Sequence, residues 1–296
     1  MYERITFDMM NRDMLTSLNV SLQNQDTAMM QLETGQRVNQ PSDDPAAEAA
    51  YIQNRSQASA DTQYLQTAST LSGNFQVADS ALSAAVNLLT SAISTGVQGG
   101  SGNLTAAQQQ ALSQNVTAMQ QQLVNLANTT FQGNYVFSGS ASQTAAYVLD
   151  NTQPSGVRYQ GNSETTQVAI AANNNVTGNI PGNQVFDSAF QSLNDLKNGL
   201  NAGNTAQVET AVTSLRAAMD TIGQQRITYS SGLTRLQSAQ SVLQNENVQL
   251  ASQENDLIGT DMAAAITSAN TAEVARSAIL SVGSRLSQVS LLNYMH

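Results

Sequence analysis

Apolar residues recur every seven positions along one stretch of the chain: Val208, Leu215, Ile222, Tyr229, Leu236, Leu243, Leu250 and Leu257. A companion row four residues on reads Val212, Met219, Arg226, Leu233, Gln240, Asn247 and Glu254, apolar at first and polar later. This spacing predicts a sustained coiled-coil-like helix whose packing partner changes along its length. A continuous 208–257 helix would be about 75 Å long at 1.5 Å per residue, more than a globular domain normally houses. Gly223 and Gly232 each cost up to about 1 kcal/mol inside a helix and mark where it would kink.

A second seam alternates steps of four and three through Tyr64, Ala68, Leu71, Phe75, Ala78, Leu82, Ala85, Leu89 and Ala92. A third uses Leu112, Val116, Met119, Leu123 and Leu126. The Gly- and Ser-rich segment from Gly96 to Asn103 reads as a turn between antiparallel helices, with Asn103 or Thr105 as the next cap. Both ends are also helical in pattern. Leu15, Leu18, Leu22, Met29 and Leu32 form one stripe, interrupted by Gln25. Ile258, Met262, Ile266, Ala269, Ala272, Ala275, Ile279, Val282, Leu286 and Val289 form another. Periodicity alone leaves two partners open for these stripes, the rest of the same chain or other chains.

The heptads vanish from Ser138 to Gln184. Short alternations such as Val157–Arg158–Tyr159 and Thr166–Gln167–Val168–Ala169–Ile170 lie between turn-forming Pro154–Ser155–Gly156, Gln160–Gly161–Asn162 and Asn173–Asn174–Asn175. A β-rich piece this small is marginal alone and must lean on the helices. The expected fold is mainly α: a long antiparallel coiled-coil-like helical rod built from both chain ends, with a small β-rich inserted domain. The divisions are an N-terminal helix over 1–44, the first half of the rod over 45–137, the β-rich insert over 138–186, the second half over 187–255 and a C-terminal helix over 256–296.

Composition narrows the chemistry. Of 296 residues only 11% are charged, and roughly two-fifths are Gln, Asn, Ser and Thr. There is no Cys or Trp, one lysine (Lys197) and one histidine (His296). Thiol nucleophiles, disulfides and Cys-based zinc sites are excluded. With its only histidine at position 296, a buried catalytic or metal-binding imidazole is not expected. The net charge is −10 and basic residues are not clustered, which argues against nucleic acid, since phosphate binding needs Lys and Arg. No uninterrupted run of about 18 apolar residues predicts a membrane span. The first residues carry Glu3, Arg4, Asp8, Arg12 and Asp13 and lack the apolar region of a secretory signal.

The densest acidic segment is Pro41–Ser42–Asp43–Asp44–Pro45 with Glu48. A calcium loop needs about six to eight oxygen ligands, and this segment lacks the EF-hand spacing and glycine pivot. It reads better as a helix start, with Asp44 as N-cap, Pro45 as first helical residue and Glu48 near the positive helix end. Phe131–Gln132–Gly133–Asn134–Tyr135–Val136–Phe137–Ser138–Gly139 lacks the Lys-Ser/Thr ending of a phosphate loop and reads as an aromatic-anchored exit from helix into the insert. No H-E-x-x-H or G-x-S-x-G motif occurs, so the chain is not expected to be an enzyme or to need a cofactor.

Thr34–Gly35–Gln36–Arg37–Val38–Asn39–Gln40–Pro41–Ser42–Asp43–Asp44–Pro45–Ala46–Ala47 resembles the N-terminal signature of flagellin-like axial proteins of the bacterial flagellum. The prolines Pro41 and Pro45 resemble the hook–filament junction family, hook-associated protein 3, more than flagellin. Gly133–Asn134–Tyr135–Val136–Phe137–Ser138–Gly139, Gly182–Asn183–Gln184–Val185–Phe186 and Ser290–Leu291–Leu292–Asn293–Tyr294–Met295 are similar to further landmarks of that family, in order. The resemblance implies a secreted structural adaptor at the hook–filament junction. It would leave through the flagellar type III export apparatus with a chaperone and assemble with copies of itself in a ring between hook-associated protein 1 and flagellin. It implies no membrane or nucleic-acid partner. The assembly interface would be Leu15, Leu18, Leu22, Met29, Leu32, Ile258, Met262, Ile266, Ile279, Val282, Leu286, Val289, Leu291 and Leu292. Arg37, Val38, Pro41, Ser42, Asp43, Asp44 and Pro45 would form the family motif and cap. The alternatives are a flagellin filament subunit or a secreted coiled-coil adhesin or effector.

Overall fold

The computed structural model describes residues 7–294, with side chains from 9 to 285. Two compact units are present, one formed by 60–245 and one by 1–59 with 246–296. Six helices are described: α1 (Phe7–Thr34), α2 (Pro45–Gly99), α3 (Ala106–Ala127), α4 (Asn183–Ala202), α5 (Thr205–Ile258) and α6 (Met262–Tyr294). Helices α2 and α5 contribute residues to both units.

In the 60–245 unit the heptad seams become the core. Ala68, Leu71, Phe75, Ala78, Leu82, Ala85, Leu89 and Ala92 of α2 are buried, as are Val208, Leu215, Ile222, Tyr229 and Leu236 of α5. Phe75 meets Tyr229 edge-on at 5.1 Å between ring centroids. Asp79 accepts from Arg226 at 2.9 Å, and Gly96 packs on Val212. Partners descend in α5 as they ascend in α2, so the helices run antiparallel. The Asp79 contact also accounts for Arg226 in the companion seam: the guanidinium sits half-buried over a fork-shaped ion pair.

Helix α5 is continuous through both glycines. At Gly232 a Cβ would lie 2.5 Å from the Phe75 ring, so the missing side chain gives that ring its place. Nothing lies within 4 Å of a Cβ at Gly223, and no packing reason explains that residue. Helix α2 runs on to Gly99, past the expected turn at Gly96, because Gly96 and Gly99 let Leu196 and Leu200 of α4 approach its backbone. The turn follows, and Thr105 closes a capping box with Gln108 at the start of α3. Thr105→Ala is expected to lower the stability of this unit by about 1 kcal/mol, read from a denaturant midpoint at unchanged slope.

Helix α2 includes an 18-residue stretch of mean hydropathy 1.3, long and apolar enough to cross a membrane by length and composition. Counting uninterrupted apolar runs passes over it. The buried residues of α2, from Ala68 to Ala92, belong to the protein core.

The β region consists of three antiparallel hairpins: β1 (Thr130–Phe131) with β2 (Asn134–Tyr135), β3 (Tyr147–Leu149) with β4 (Val157–Tyr159), and β5 (Gln167–Ala171) with β6 (Asn174–Thr177). The first hairpin lies before Ser138, turned by Gln132 and Gly133, both at positive φ, as a tight two-residue hairpin requires. The strands do lean on helices. Tyr147, Val157, Ile170 and Val176 are buried in one core with α3, α4 and the long helices. Phe137, Tyr147, Tyr159, Phe186 and Phe190 form its aromatic centre. Asn128, just past α3, pairs with the backbone of Tyr147 through both side-chain atoms, at 2.7 and 2.8 Å. The Tyr147 hydroxyl donates to Asp187. Burial pushes Tyr147 well above the ordinary tyrosine range and also raises Asp187, which the Tyr147 hydrogen bond opposes.

Candidate functional site

The second unit brings the helix pair α1 and α6 together with the two short links that precede α2 and follow α5. Helix α1 ends at Thr34, and Gly35 takes φ +69°, the left-handed position a helix exit favours in glycine. The chain then runs beside the α5–α6 link as a two-stranded bridge pairing Gln36 with Gly259. The Arg37 N–H donates to the Ile258 carbonyl at 2.6 Å, and the Thr260 N–H donates to the Gly35 carbonyl at 3.1 Å.

The acidic motif organises this junction. The Arg37 guanidinium donates to Asp44 Oδ2 at 3.1 Å and to the Leu257 carbonyl at 2.9 Å, one of the last carbonyls of α5. Asp44 Oδ1 accepts from the Ala47 N–H at 3.0 Å, so Asp44 caps α2 and Pro45 opens it. Asp43 Oδ2 accepts from the backbone of Asn39 and Gln40, closing the turn that carries exposed Pro41 and Ser42. Beneath lies a small core of Val38, Ala47 and Ile258, flanked by Tyr51 and Leu257. Both acids of the motif are thus engaged by N–H groups. Among the described residues no three His, Asp or Glu side chains gather where a metal could sit.

The Ala47 N–H, and then the Arg37 guanidinium, hold the Asp44 carboxyl below its ordinary value of 3.8. A carboxylate lowered in the folded state stabilises above that value, and the stabilisation is lost as pH falls through the folded one. Asp44→Ala is therefore expected to melt below the wild type near neutral pH. The gap should close as pH drops below 3.8, followed by circular dichroism melts across an acid series.

Helices α1 and α6 run antiparallel and meet through small side chains. Ser21, Ala28, Ala265 and Ala272 are buried in the seam, and the Ser21 hydroxyl donates to the Ala272 carbonyl at 2.8 Å. A groove of about 560 Å³ runs along the pair, lined by residues such as Ser17, Asn24, Thr271 and Ile279. The larger apolar residues are less buried. Leu15, Met29, Met262, Ile266 and Val282 each keep 46–55% of their surface exposed. Leu18, Leu22, Leu32 and Ile279 are half-buried. Ile258 is not on this face at all: it ends α5 and fills the small core under the bridge. Leu286, Val289, Leu291 and Leu292 belong to α6, but their side chains lie outside the described residues.

The sequence reading missed Met9, Val20, Met30, Val274 and Leu280, which are also exposed on the pair. It also missed Gly35, Gln36, Gly259, Thr260 and Asp261 as bridge residues. The signal for Gly259 and Asp261 was legible. Gly259 is a helix-stop residue, and Asp261 caps α6 by accepting from the N–H groups of Ala263 and Ala264.

Residues 5–142 match the family model of the bacterial flagellin N-terminal helical region. In this region the chain is similar to proteins of the flagellin-like class. Within that class it is similar to flagellar hook-associated protein 3. Identity is 26% over 194 residues with the Salmonella typhimurium protein, covering 64% of this chain and 59% of that one. With the Escherichia coli protein it is 28% over 160 residues, covering 53% and 49%. The matches thus span about half to three-fifths of these relatives. Solved structures share the fold. A putative flagellar hook-associated protein from Vibrio parahaemolyticus superposes at TM-score 0.67 with 16% identity, covering 73% of this chain and 100% of that one. Hook-associated protein 3 from Legionella pneumophila superposes at 0.61 with 15% identity, covering 70% and 98%.

Proposed function

We propose that this chain is a structural, non-catalytic adaptor of the bacterial flagellum that joins hook to filament at their junction. The observation that carries the reading is the α1–α6 pair: its fully buried side chains are small, while Leu15, Met29, Met262, Ile266 and Val282 stay exposed. Isolated, such a face keeps apolar surface in water. In an assembly each fully buried Leu or Ile contributes about 1.5–3 kcal/mol. Similarity to hook-associated protein 3 supports the junction over other axial positions. The partners in this reading are hook-associated protein 1, flagellin and further copies of the chain, met outside the cell after type III export with a chaperone. The assembly contacts are the terminal stripes named above apart from Ile258, with Leu286, Val289, Leu291 and Leu292 as their continuation. The working divisions remain 1–44 and 256–296 for assembly, 45–137 and 187–255 for the helical body, and 138–186 for the insert.

Immunogold labelling of intact cells tests the position. Label confined to the hook–filament boundary is expected, and label along the whole filament would replace this reading with that of a flagellin subunit. The match to the flagellin N-terminal region gives that second reading its footing. Purified protein that grows into long filaments unaided would favour it too.

A further inference from the structure

Within the 60–245 unit a cavity of about 500 Å³ is lined by Phe75 of α2, by Tyr229, Gly232 and Arg235 of α5, and by Ile180 in the stretch from β6 to α4. Phe75 and Tyr229 are buried and Arg235 is exposed, so the cavity runs from the core to the surface. Its size is that of a small-molecule site.

Tyr229 is only half explained by the fold. Its ring packs edge-on against Phe75 in the core. Its hydroxyl is buried and makes no hydrogen bond of normal geometry among the described residues. The Ile180 N–H approaches the oxygen without completing one, and burial pushes the phenol above its ordinary range. The group therefore remains a hydroxyl, with a hydrogen to donate and no acceptor for it. An unmatched buried donor is a cost that phenylalanine would avoid in the same space.

Arg235 supplies the charge. Its Nη2 donates to Asn174 Oδ1 at 3.4 Å and to the Asn175 carbonyl at 3.1 Å, holding the tip of the β5–β6 hairpin. A guanidinium has five N–H donors, so others are left to meet an anion. The ion pairs of the described residues belong to Arg37, Arg158 and Arg226, which leaves Arg235 without a carboxylate partner among them. No Asp or Glu lines the cavity, whose other polar groups are amides and hydroxyls such as Gln184, Thr228 and Ser231. An unmatched donor within, a cation at the mouth and no acid between them select a ligand that carries acceptors and negative charge. Tyr229 and Arg235 lie six residues apart on α5, about 9 Å along the axis, a span that one small ligand covers.

We propose that this cavity binds a carboxylate-bearing ligand: Arg235 pairs with the carboxylate at the mouth, and the Tyr229 hydroxyl donates to a second oxygen of the same ligand at the inner end. The carboxylate comes from a small organic acid or from an acidic side chain of another protein. The site lies wholly within the 60–245 unit and does not depend on the junction reading.

Melting and calorimetric titration of the full chain test it, with succinate, a blocked glutamyl tripeptide and neutral succinamide as probes at constant ionic strength. Ligand-free Tyr229→Phe is expected to melt at or above the wild type, since it sheds an unmatched donor and keeps the ring beside Phe75. Succinate or the tripeptide is expected to raise the wild-type midpoint, and succinamide to leave it in place. Binding is expected to be about tenfold weaker in Tyr229→Phe and in Arg235→Gln. If Arg235→Gln is unstable because the hairpin tip is freed, Tyr229→Phe carries the test. A response to succinate alone makes the source a free acid, and a response to the tripeptide makes it an acidic side chain. A Tyr229→Phe chain that melts well below the wild type gives the hydroxyl a structural duty and overturns the site. So does binding of neither carboxylate, or binding that Tyr229→Phe leaves unchanged.

Discussion

Ile266→Asp is expected to abolish entry of the protein into the flagellum while leaving its melting curve almost unchanged. Ile266 lies on α6 with 49% of its surface exposed, outside the seam of Ala265 and Ala272 that meets α1. A surface substitution of this kind normally changes stability by less than about 0.5 kcal/mol. In an assembled lattice the same position would be covered. An aspartate there forfeits about 1.5–3 kcal/mol of apolar burial and adds several kcal/mol for desolvating an unpaired charge. Repeated in every subunit, that loss reaches far beyond tenfold. Incorporation into flagella of a strain lacking the native protein, with monomer melting in parallel, measures both halves. Normal incorporation would remove α6 from the assembly face, and a large drop in monomer melting would place Ile266 in an intramolecular contact. Deleting 1–35 or the last 30 residues should give the same assembly defect without unfolding the 60–245 unit.

The second large effect is on stability. Phe186→Ala should cost about 3–5 kcal/mol, because it empties the aromatic centre where insert and helices share a core. Phe186 is fully buried, with Phe137 at 5.0 Å edge-on, Tyr147 at 6.3 Å and Phe190 at 6.4 Å. No neighbour is free to collapse into the space, since Tyr147 is held by Asn128 and Asp187 and Phe137 by hydrogen bonds from Gly182 and Tyr159. A melting point lower by on the order of 10 °C is the expected reading for a unit of this size. A drop confined to the strands, with helical signal intact, would show that the insert folds independently of α4.

Several elements were legible because they are local. The row from Val208 to Leu257 reports the long helix because an α-helix repeats its buried face at a near-heptad spacing wherever it packs on another. Asp44–Pro45 and Thr105 announce helix starts because capping needs only the next three residues. Val157–Tyr159 and Gln167–Ile170 alternate because a half-buried strand must. The resemblance carried by residues 34–47 likewise survives as contacts, since Arg37, Val38, Asp43 and Asp44 all sit in the bridge and its caps.

Other features depended on residues far apart in sequence. Gly96, Gly99 and Gly232 read as turn or kink signals, yet each lies inside a helix to admit a side chain from another element. Arg226 looked like a break in an apolar seam until Asp79, 147 residues away, supplied its partner. The C-terminal stripe was read as one face from Ile258 to Val289. In the fold Ile258 goes to the small core under the bridge, the alanines and Ile279 turn toward α1, and Met262, Ile266 and Val282 face out. Periodicity says that a residue lies on some face of a helix; it does not say which neighbour that face meets.

The sequence by itself therefore determined the helices, their caps, the small β region and the exclusion of thiol chemistry, because each depends on residue type and near-neighbour spacing. Only the tertiary structure decided that the motif around Arg37 closes on the end of α5, 220 residues away at Leu257, and that the fully buried side chains of the terminal pair are small ones. Such pairings are set by packing volume and by where unpaired backbone groups find partners, and neither is written in the spacing of one segment.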